Sequence, residues 1–281
     1  MTHWTFKSGT PEPDGSWGPA VDIRSDQPTP ARMYDYYLGG KDNFPVDREA
    51  AEKVKEVIGP EMTYDAAWEN RLFLRRAVRW LVQAGIDQFI DIGAGLPTQG
   101  NVHEIAQQVI PDARVVYVDN DPIVLAHGRA LLADNATTTV ITADLRSPET
   151  ILDHPELRAL IDFSRPVAVL FIAVFHFVTD EENPARIISV FRDAMIPGSY
   201  LALTHVTMDG PSPDQVDRIE QVYKSAASPA VFRSRQQIEG LFTGFELVDP
   251  GIVRPWQWHP GEDDIRTDWL FAGVAAKTAQ E

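Results

Sequence analysis

From residue 87 onward, short runs of consecutive apolar residues alternate along the chain with segments of helical periodicity. Strands that are apolar throughout are buried on both faces, and helices between them cover the two faces of a parallel sheet. The pattern therefore predicts an α/β fold. The predicted strands are 88–93, 114–119, 138–144, 166–174 and 199–206, and the helices between them lie at about 101–110, 121–133, 148–161 and 183–195.

The pattern changes after the fifth apolar run. A proline-rich break over 209–215 is followed by helical spacing at about 213–227 and 234–242. Two further apolar runs, 245–253 and 268–277, are separated by a loop that is rich in proline and tryptophan. Because such runs can pair antiparallel, we predict a terminal hairpin at the edge of the sheet.

The N-terminal part of the chain has a different character. Residues 1–27 show no apolar period and contain several prolines and glycines, which predicts a flexible arm or, alternatively, a strap laid over the surface. Over 28–63 apolar residues recur twice at helical spacing, which predicts an N-terminal helical cap. The main domain, 64–281, opens with a long amphipathic helix.

Composition and charge exclude several classes of function. The chain has 281 residues, with 25 Lys and Arg against 41 Asp and Glu, so its net charge of −16 disfavours binding to nucleic acid or to an anionic membrane. It contains no Cys, which excludes a disulfide scaffold, a thiolate zinc site and a cysteine nucleophile. The longest apolar run, 166–178, is too short to cross a bilayer, and no cluster of ligating residues has metal-binding spacing. These features favour a cytoplasmic protein without a membrane partner.

The exit of the first predicted strand, Asp91-Ile92-Gly93-Ala94-Gly95, is the sharpest chemical signal. Glycines at the carboxyl end of a strand let the backbone approach a ligand closely. A dinucleotide-binding loop would have its third glycine at position 98, where this chain has Thr98. The loop suits a nucleoside-type ligand, although an ordinary glycine turn between strand and helix is an alternative.

Acidic residues also end the second and third predicted strands. Asp119 follows Val118, and a carboxylate there can accept hydrogen bonds from both ribose hydroxyls. Asp121, before Pro122, suits the N-cap of the next helix. Asp144 can accept from an adenine amino group, while the backbone N–H of the following Leu145 can donate to a ring nitrogen. Each acid could instead be a cap or turn residue, but acids at three successive strand ends favour the ligand interpretation.

These motifs together resemble those of a known family. The series DIGAG, VVYVDNDP and ITADL is similar to the motifs of class I S-adenosylmethionine-dependent methyltransferases. The segments PARMYDYYLGGKDNFPVDREAA and LPTQGNVHEIA resemble one bacterial family, first catalogued as a domain of unknown function and later named S-adenosyl methyltransferase. The resemblance implies a Rossmann-like, seven-stranded, mostly parallel sheet with an antiparallel last strand. It also implies that S-adenosyl-L-methionine binds across the carboxyl ends of strands one to four. The tyrosines and the Gly-Gly-Lys sequence in 28–63 further predict that this cap covers the cofactor.

The resemblance assigns a part of the cofactor to each motif. Asp91, Gly93 and Gly95 would line the methionine part, Asp119 would hold the ribose, and Asp144 with Leu145 would hold the adenine. The remaining expected cofactor contacts are Asn120, Ala173, Tyr34 and Tyr37. The two tyrosines could form an aromatic lid that favours the cationic sulfonium, or they could simply pack the core of the cap.

His176, at the exit of the fourth predicted strand, is the candidate catalytic residue. The segment is similar to the strand-four exit of small-molecule O-methyltransferases, in which a histidine before an acidic helix start is the general base. A hydroxyl must lose its proton when it accepts a methyl group, and histidine titrates near neutral pH. The alternative is a structural histidine that hydrogen-bonds to a backbone carbonyl.

The sequence therefore predicts an enzyme that transfers methyl groups from S-adenosylmethionine to a small-molecule acceptor, at a hydroxyl oxygen, without a metal ion. Segments 207–232 and 254–266 are candidate substrate-side insertions. One alternative is a methyltransferase-like module that binds the cofactor without transfer. Another is a nicotinamide-dependent oxidoreductase, which Thr98 and Asp91 disfavour. The sequence predicts no oligomeric state.

Overall fold

The fold is taken from a computed structural model of the chain. It describes residues 25–97, 100–132, 135–223, 230–261 and 264–279. Most of the predicted N-terminal arm, residues 1–24, lies outside the described residues.

One seven-stranded sheet forms the centre of the molecule, and its strand order is β3-β2-β1-β4-β5-β7-β6. The strands are β1 Gln88–Ile92, β2 Arg114–Asp119, β3 Thr138–Thr142, β4 Ala168–Ile172, β5 Tyr200–Val206, β6 Glu246–Leu247 and β7 Leu270–Ala276. The first five strands are parallel, and β7 pairs antiparallel with both β5 and β6. The predicted sheet, with its antiparallel last strand, is confirmed.

Ten α-helices are described around this sheet. They are α1 Pro30–Tyr37, α2 Pro45–Ile58, α3 Ala66–Gln83, α4 Val102–Gln107, α5 Pro122–Leu131, α6 Pro148–Leu152, α7 Pro155–Leu160, α8 Pro184–Ala194, α9 Pro213–Tyr223 and α10 Arg235–Gly240. A π-helical turn over 61–65 leads into α3, and 3₁₀ turns occupy 175–177, 180–182 and 255–257. No helix within the described part of the chain has the length and apolar character that crossing a membrane requires.

Two elements differ from the sequence prediction because of proline. The single helix predicted over 148–161 is split into α6 and α7, since Pro155 cannot continue a helix and instead begins α7 behind the N-cap residue His154. The run predicted over 245–253 is interrupted around Pro250, which has no N–H to donate to a ladder. It forms the two-residue strand β6 and, after the interruption, a separate antiparallel bridge between Val253 and Ala272 of β7.

The apolar residues form a core on each face of the sheet, with alternate strand residues on opposite faces. In β1, Ile90 and Ile92 belong to one core, which α6, α7, α8 and α10 cover. Phe89 belongs to the other, which α3 and α4 cover. A third apolar cluster joins α1, α2 and the start of α3 to the ends of β5 and β7.

Polar contacts attach the first two helices to this frame. Thr29, the N-cap of α1, donates from its hydroxyl to Asp121 Oδ2 at 2.8 Å. Arg32 and Asp47 form an ion pair at 3.1 Å with both side chains fully buried. Removing one partner of such a pair typically costs about 3–5 kcal/mol. The two helices are therefore held firmly against the carboxyl ends of the strands.

Candidate functional site

A cavity of about 770 Å³ opens at the carboxyl ends of the parallel strands, beneath α1 and α3. Its volume lies within the range of about 300–1,000 Å³ that is typical of small-molecule sites. Every site residue that the sequence predicted lines this one cavity: Tyr34, Tyr37, Asp91, Gly93, Gly95, Asp119, Asn120, Asp144, Leu145, Ala173 and His176.

The glycine turn after β1 is shaped by two residues in the left-handed region. Gly93 has φ +73° and Gly95 has φ +66°, a conformation that side chains rarely adopt. A Cβ atom on Gly93 would lie 2.3 Å from Cγ2 of Val174, so this position also needs glycine for the close approach of the β4 exit. At Gly95 no atom lies within 4 Å of such a Cβ, and the backbone there faces open space.

Asp119, the last residue of β2, is oriented by the backbone around it. Its Oδ2 accepts from the N–H of Gly95 at 2.9 Å, and its Oδ1 accepts from the N–H of Asp121 at 2.8 Å. Burial nevertheless raises the pKa of Asp119 to about 6. Asp121 caps α5 by accepting from the N–H of Ile123, which confirms the predicted N-cap.

Asp91 is a buried carboxyl group in the wall of the cavity. It lies on β1, and its residue surface is 5% exposed. Burial raises the pKa of Asp91 to about 7, the nearby Arg71 opposes this rise, and Asp119 adds to it. Arg71 comes from α3, also lines the cavity, and is not a residue that motif reasoning identified.

Asp144 has a cationic partner that the sequence analysis missed. Arg146 Nη1 donates to both carboxylate oxygens of Asp144, at 3.2 and 3.1 Å. The same guanidinium contacts Glu182 and donates to the carbonyl of Phe177 at 3.1 Å. A ligand at Asp144 would therefore meet a carboxylate that is already partly neutralised.

A chain of hydrogen bonds connects the β4 exit to α1. Ala173, at φ +57°, donates from its N–H to Thr204 Oγ1 at 2.8 Å. Thr204 donates to Asn70 Oδ1 at 2.6 Å, and Asn70 Nδ2 donates to the hydroxyl of Tyr34 at 2.8 Å. Tyr34 in turn donates to the carbonyl of Ala67 at 3.0 Å. The conformation at Ala173 is thus supported by side chains from β5, α3 and the cap.

His176 lies in the 3₁₀ turn that follows β4, and its residue surface is 8% exposed. Burial lowers the pKa of His176 well below its ordinary value, and His205 and Arg233 lower it further. The ring is therefore neutral at pH 7. Its buried Nδ1 has no hydrogen-bond partner among the described residues. This atom therefore does not make the bond to a backbone carbonyl that a structural histidine was expected to make.

Arg233 organises the two 3₁₀ turns around His176. Its Nη1 donates to His205 Nε2 at 2.8 Å and to the carbonyl of Phe175 at 3.1 Å. Its Nη2 donates to the carbonyl of Val178 at 2.9 Å and to Asp180 Oδ1 at 2.6 Å. Arg233 was not identified from the sequence, because no local motif marks an arginine whose partners lie 28–58 residues away.

The same contacts define the state of His205. Because arginine can only donate, Nε2 of His205 is an acceptor, and Nδ1 donates to the carbonyl of Val206 at 2.6 Å. The pKa of His205 is lowered to about 3, mainly by burial. Both ring nitrogens are thus engaged within the protein, which leaves His176 as the histidine of this pair that can accept a proton from a ligand.

The two predicted substrate-side segments contribute no residue to the described lining of the cavity. Within 254–266, Trp258 is fully buried and packs edge-on against Phe73, and Arg76 of α3 donates to its carbonyl at 3.0 Å. This segment is thereby attached to α3. Of the segment 207–232, residues 224–229 lie outside the described residues.

The chain is similar to known proteins in both sequence and fold. The family model of S-adenosyl methyltransferases matches residues 17–278. A candidate methyltransferase from Thermobifida fusca YX is 44% identical at a TM-score of 0.85, with 92% of this chain and 97% of that chain covered. A DUF574 family protein from Streptomyces avermitilis MA-4680 is 41% identical at a TM-score of 0.85, with 91% and 100% covered. A mitomycin 7-O-methyltransferase, 16% identical at a TM-score of 0.50 with 89% and 74% covered, shows a likeness of fold alone. No curated protein matches the chain.

Proposed function

Because the chain belongs to the S-adenosyl methyltransferase family, we propose that it transfers a methyl group from S-adenosylmethionine to a hydroxyl oxygen of a small-molecule acceptor. The family and the fold provide the cofactor and the reaction class. The observation that supports oxygen as the acceptor atom is His176, a neutral, buried imidazole in the same cavity as the glycine turn.

The residues around the glycine turn fit the cofactor. The backbone at Gly95 faces open space, so a ligand can approach it closely. Asp119 is held with both oxygens at the cavity wall, and each oxygen keeps a lone pair for a ribose hydroxyl. We assign Asp91, Gly93, Gly95, Asp119 and Asn120 to the methionine and ribose parts.

The remaining cofactor contacts are assigned by the same lining. Asp144 and Leu145 would hold the adenine, with Arg146 setting the charge there. Tyr34, Tyr37 and Ala173 complete the proposed set. We also propose that the helices of residues 28–63 cover the site, because α1 supplies part of its wall.

In the proposed reaction, the protein removes a proton from the acceptor and positions the acceptor for methyl transfer. S-adenosylmethionine, when bound, supplies a methyl group on an electrophilic sulfonium. An imidazole nitrogen of His176 takes the proton from the acceptor hydroxyl, which is effective because the ring is neutral at pH 7. The cavity walls hold the acceptor in line and exclude water. Arg233 acts as a positioning residue, since it fixes the turns on both sides of His176.

The composition of the chain supports the proposed absence of a nucleic-acid partner and the proposed location. The net charge of −16 supports a protein that has no nucleic-acid partner, and the absence of Cys fits a cytoplasmic location. The segments 207–232 and 254–266 stay predicted substrate-side insertions.

The test compares His176→Gln with His127→Gln, a variant of a half-buried histidine on α5 that does not line the cavity. Turnover on a panel of phenols and hydroxy acids should fall about 10²–10⁴-fold in His176→Gln, the usual contribution of a general base. Affinity for S-adenosylhomocysteine should stay within about threefold, because His176 is assigned to the acceptor. His127→Gln should match the wild type in both measurements. If turnover in His176→Gln stays within a few-fold of wild type, His176 is not the general base. If the wild-type protein binds S-adenosylhomocysteine but methylates no compound of the panel, it is a cofactor-binding module without transfer activity.

A further inference from the structure

The cavity has two halves with different chemistry, because of the order of the strands. The carboxyl ends of β3, β2 and β1 supply the acids and glycines described above. On the other side, β5 and β7 supply Val206 and Leu270, which lie opposite each other in the antiparallel ladder. Those two residues belong to the third apolar cluster, together with the first helices.

We call this second half the acceptor chamber. Its walls combine residues of β5 and β7 with residues of α1, the π-helical turn and the first turn of α3. The chamber is defined by Met33, Tyr37, Met62, Ala66, Val206 and Leu270. Phe177, next to His176, packs against the same cluster with its ring centroid 4.3 Å from that of the imidazole. The chamber therefore continues from the proposed base into an apolar space.

The polar groups on this side are already bonded to the protein. Thr63 donates from its hydroxyl to the carbonyls of Gly59 and Pro60, at 3.3 and 3.2 Å. The hydroxyls of Tyr34 and Tyr37 reach backbone carbonyls. By contrast, His176 retains a buried ring nitrogen without a partner among the described residues. His176 also lines the cavity, so its ring is the polar group next to the chamber that is not fully engaged within the protein.

The carboxyl groups and arginines of the described lining lie in the other half of the cavity. They are Arg71, which acts on Asp91, then Asp91, Asp119, Asp121, Asp144 and Arg146. A charged group carried into the acceptor chamber would lose its hydration without gaining an ionic partner, which is strongly unfavourable. The chamber thus selects against carboxylates and ammonium groups.

We infer that the acceptor chamber binds the methyl acceptor, and that this acceptor is an uncharged, mainly apolar molecule carrying a phenolic hydroxyl. Methionine and aromatic walls suit a planar ring, because thioethers adapt to its shape and aromatic rings pack on its edge and face. The inference rests on the proposed function for the direction of transfer, but the binding preference follows from the walls alone.

The acidity of the hydroxyl supports the phenolic class. His176 is a weak base, because burial lowers its pKa well below the ordinary value. A phenol such as the tyrosine side chain has a pKa of about 10. Water has a pKa of about 15.7, and aliphatic alcohols are similarly weak acids. A weak base can remove the proton of a phenol far more readily than that of an alcohol.

The first test measures binding to the protein saturated with S-adenosylhomocysteine, by calorimetry. 2-Naphthol is the probe, and 6-hydroxy-2-naphthoate is its matched anionic analogue. We expect 2-naphthol to bind at least about tenfold more tightly than the naphthoate, which corresponds to a difference in binding free energy of about 1.4 kcal/mol. Equal or tighter binding of the naphthoate, or no detectable binding of 2-naphthol, overturns the inference.

Two variants locate the binding in the chamber. Ala66→Phe fills it and should weaken 2-naphthol binding at least about tenfold, while affinity for S-adenosylhomocysteine stays within about threefold. Ala84→Phe, at the exposed end of α3, is the matched control and should change neither affinity. Met62→Lys introduces a cation at a half-buried position and should improve naphthoate binding relative to 2-naphthol. Unchanged probe preferences in both chamber variants place the probe elsewhere and contradict the inference.

Turnover separates this inference from the proposed function. With S-adenosylmethionine, methylation of 2-naphthol should exceed that of 2-naphthalenemethanol by at least about tenfold, which is the ratio that the difference in acidity favours. The reverse order overturns the phenolic assignment. If 2-naphthol binds more tightly than 6-hydroxy-2-naphthoate as expected, and neither 2-naphthol nor 2-naphthalenemethanol is methylated, the proposed function fails while the binding preference of the chamber stands.

Discussion

Replacing Arg233 by methionine tests how the protein holds its proposed base. The substitution keeps most of the side-chain volume but removes four hydrogen bonds, to His205, to the carbonyls of Phe175 and Val178, and to Asp180. The Arg233 side chain is 3% exposed, whereas the Asp180 side chain is 70% exposed. The loss is therefore concentrated in the three buried acceptors, because water can replace the bond to Asp180.

The magnitude follows from these three acceptors. Each buried acceptor left without a donor costs about 1–3 kcal/mol, and local relaxation recovers part of the sum. We expect Arg233→Met to lower the free energy of unfolding by about 3–5 kcal/mol, the range found when one partner of a buried charge network is removed. Arg235→Met is the matched control, because the side chain of this exposed arginine donates one hydrogen bond, to the carbonyl of Ile252. This substitution should lower the free energy of unfolding by about 0–1 kcal/mol.

Urea unfolding gives the stability difference, and NMR titration of the His176 ring gives a second readout. The positive charge of Arg233 helps to lower the pKa of His176, so that pKa should rise in Arg233→Met. Arg233→Lys keeps the charge but not the planar fork, and it should lose stability while leaving the pKa of His176 low. A loss below about 1 kcal/mol in Arg233→Met, with an unchanged titration, would refute the reasoning that this arginine braces the site.

Two other predictions concern the half of the cavity at the carboxyl ends of β1, β2 and β3, where we propose that the cofactor binds. The pKa values of Asp91 and Asp119 are raised to about 7 and about 6, so both groups gain protons as the pH falls from 8 to 5. Binding of S-adenosylhomocysteine, measured by calorimetry, should therefore weaken at least about tenfold over that interval. An affinity that does not change with pH would contradict their role as ionised acceptors. Saturating S-adenosylhomocysteine should slow proteolytic cleavage within residues 28–63, since a ligand stabilises the folded state that binds it. Equal cleavage rates with and without the ligand would show that this segment is only scaffold.

The sequence by itself determined the frame of the site. Continuous apolar runs alternating with helical spacing predicted the parallel sheet, and glycines and acids at successive strand ends marked one edge of it. The carboxyl ends of parallel strands meet at the same edge, so local motifs were sufficient to bring Asp91, Asp119 and Asp144 to one cavity. The resemblance to class I methyltransferases rested on the same motifs, and the resemblance to the bacterial family rested on the segments 30–51 and 96–106. Proline effects were also local, although the break at Pro155 was not predicted.

Only the tertiary structure decided burial and partners. Arg233 reaches acceptors on β5 and on two turns before α8, and Asn70 connects the cap to Thr204, so neither role can be read from neighbouring residues. The shifts of the pKa values of His176 and Asp91 arise mainly from burial, which depends on how distant elements pack. The apolar acceptor chamber exists because α1 and α3 meet the ends of β5 and β7. A linear pattern specifies which faces are apolar, but the packing of those faces determines which polar groups lose water and which partners they find instead.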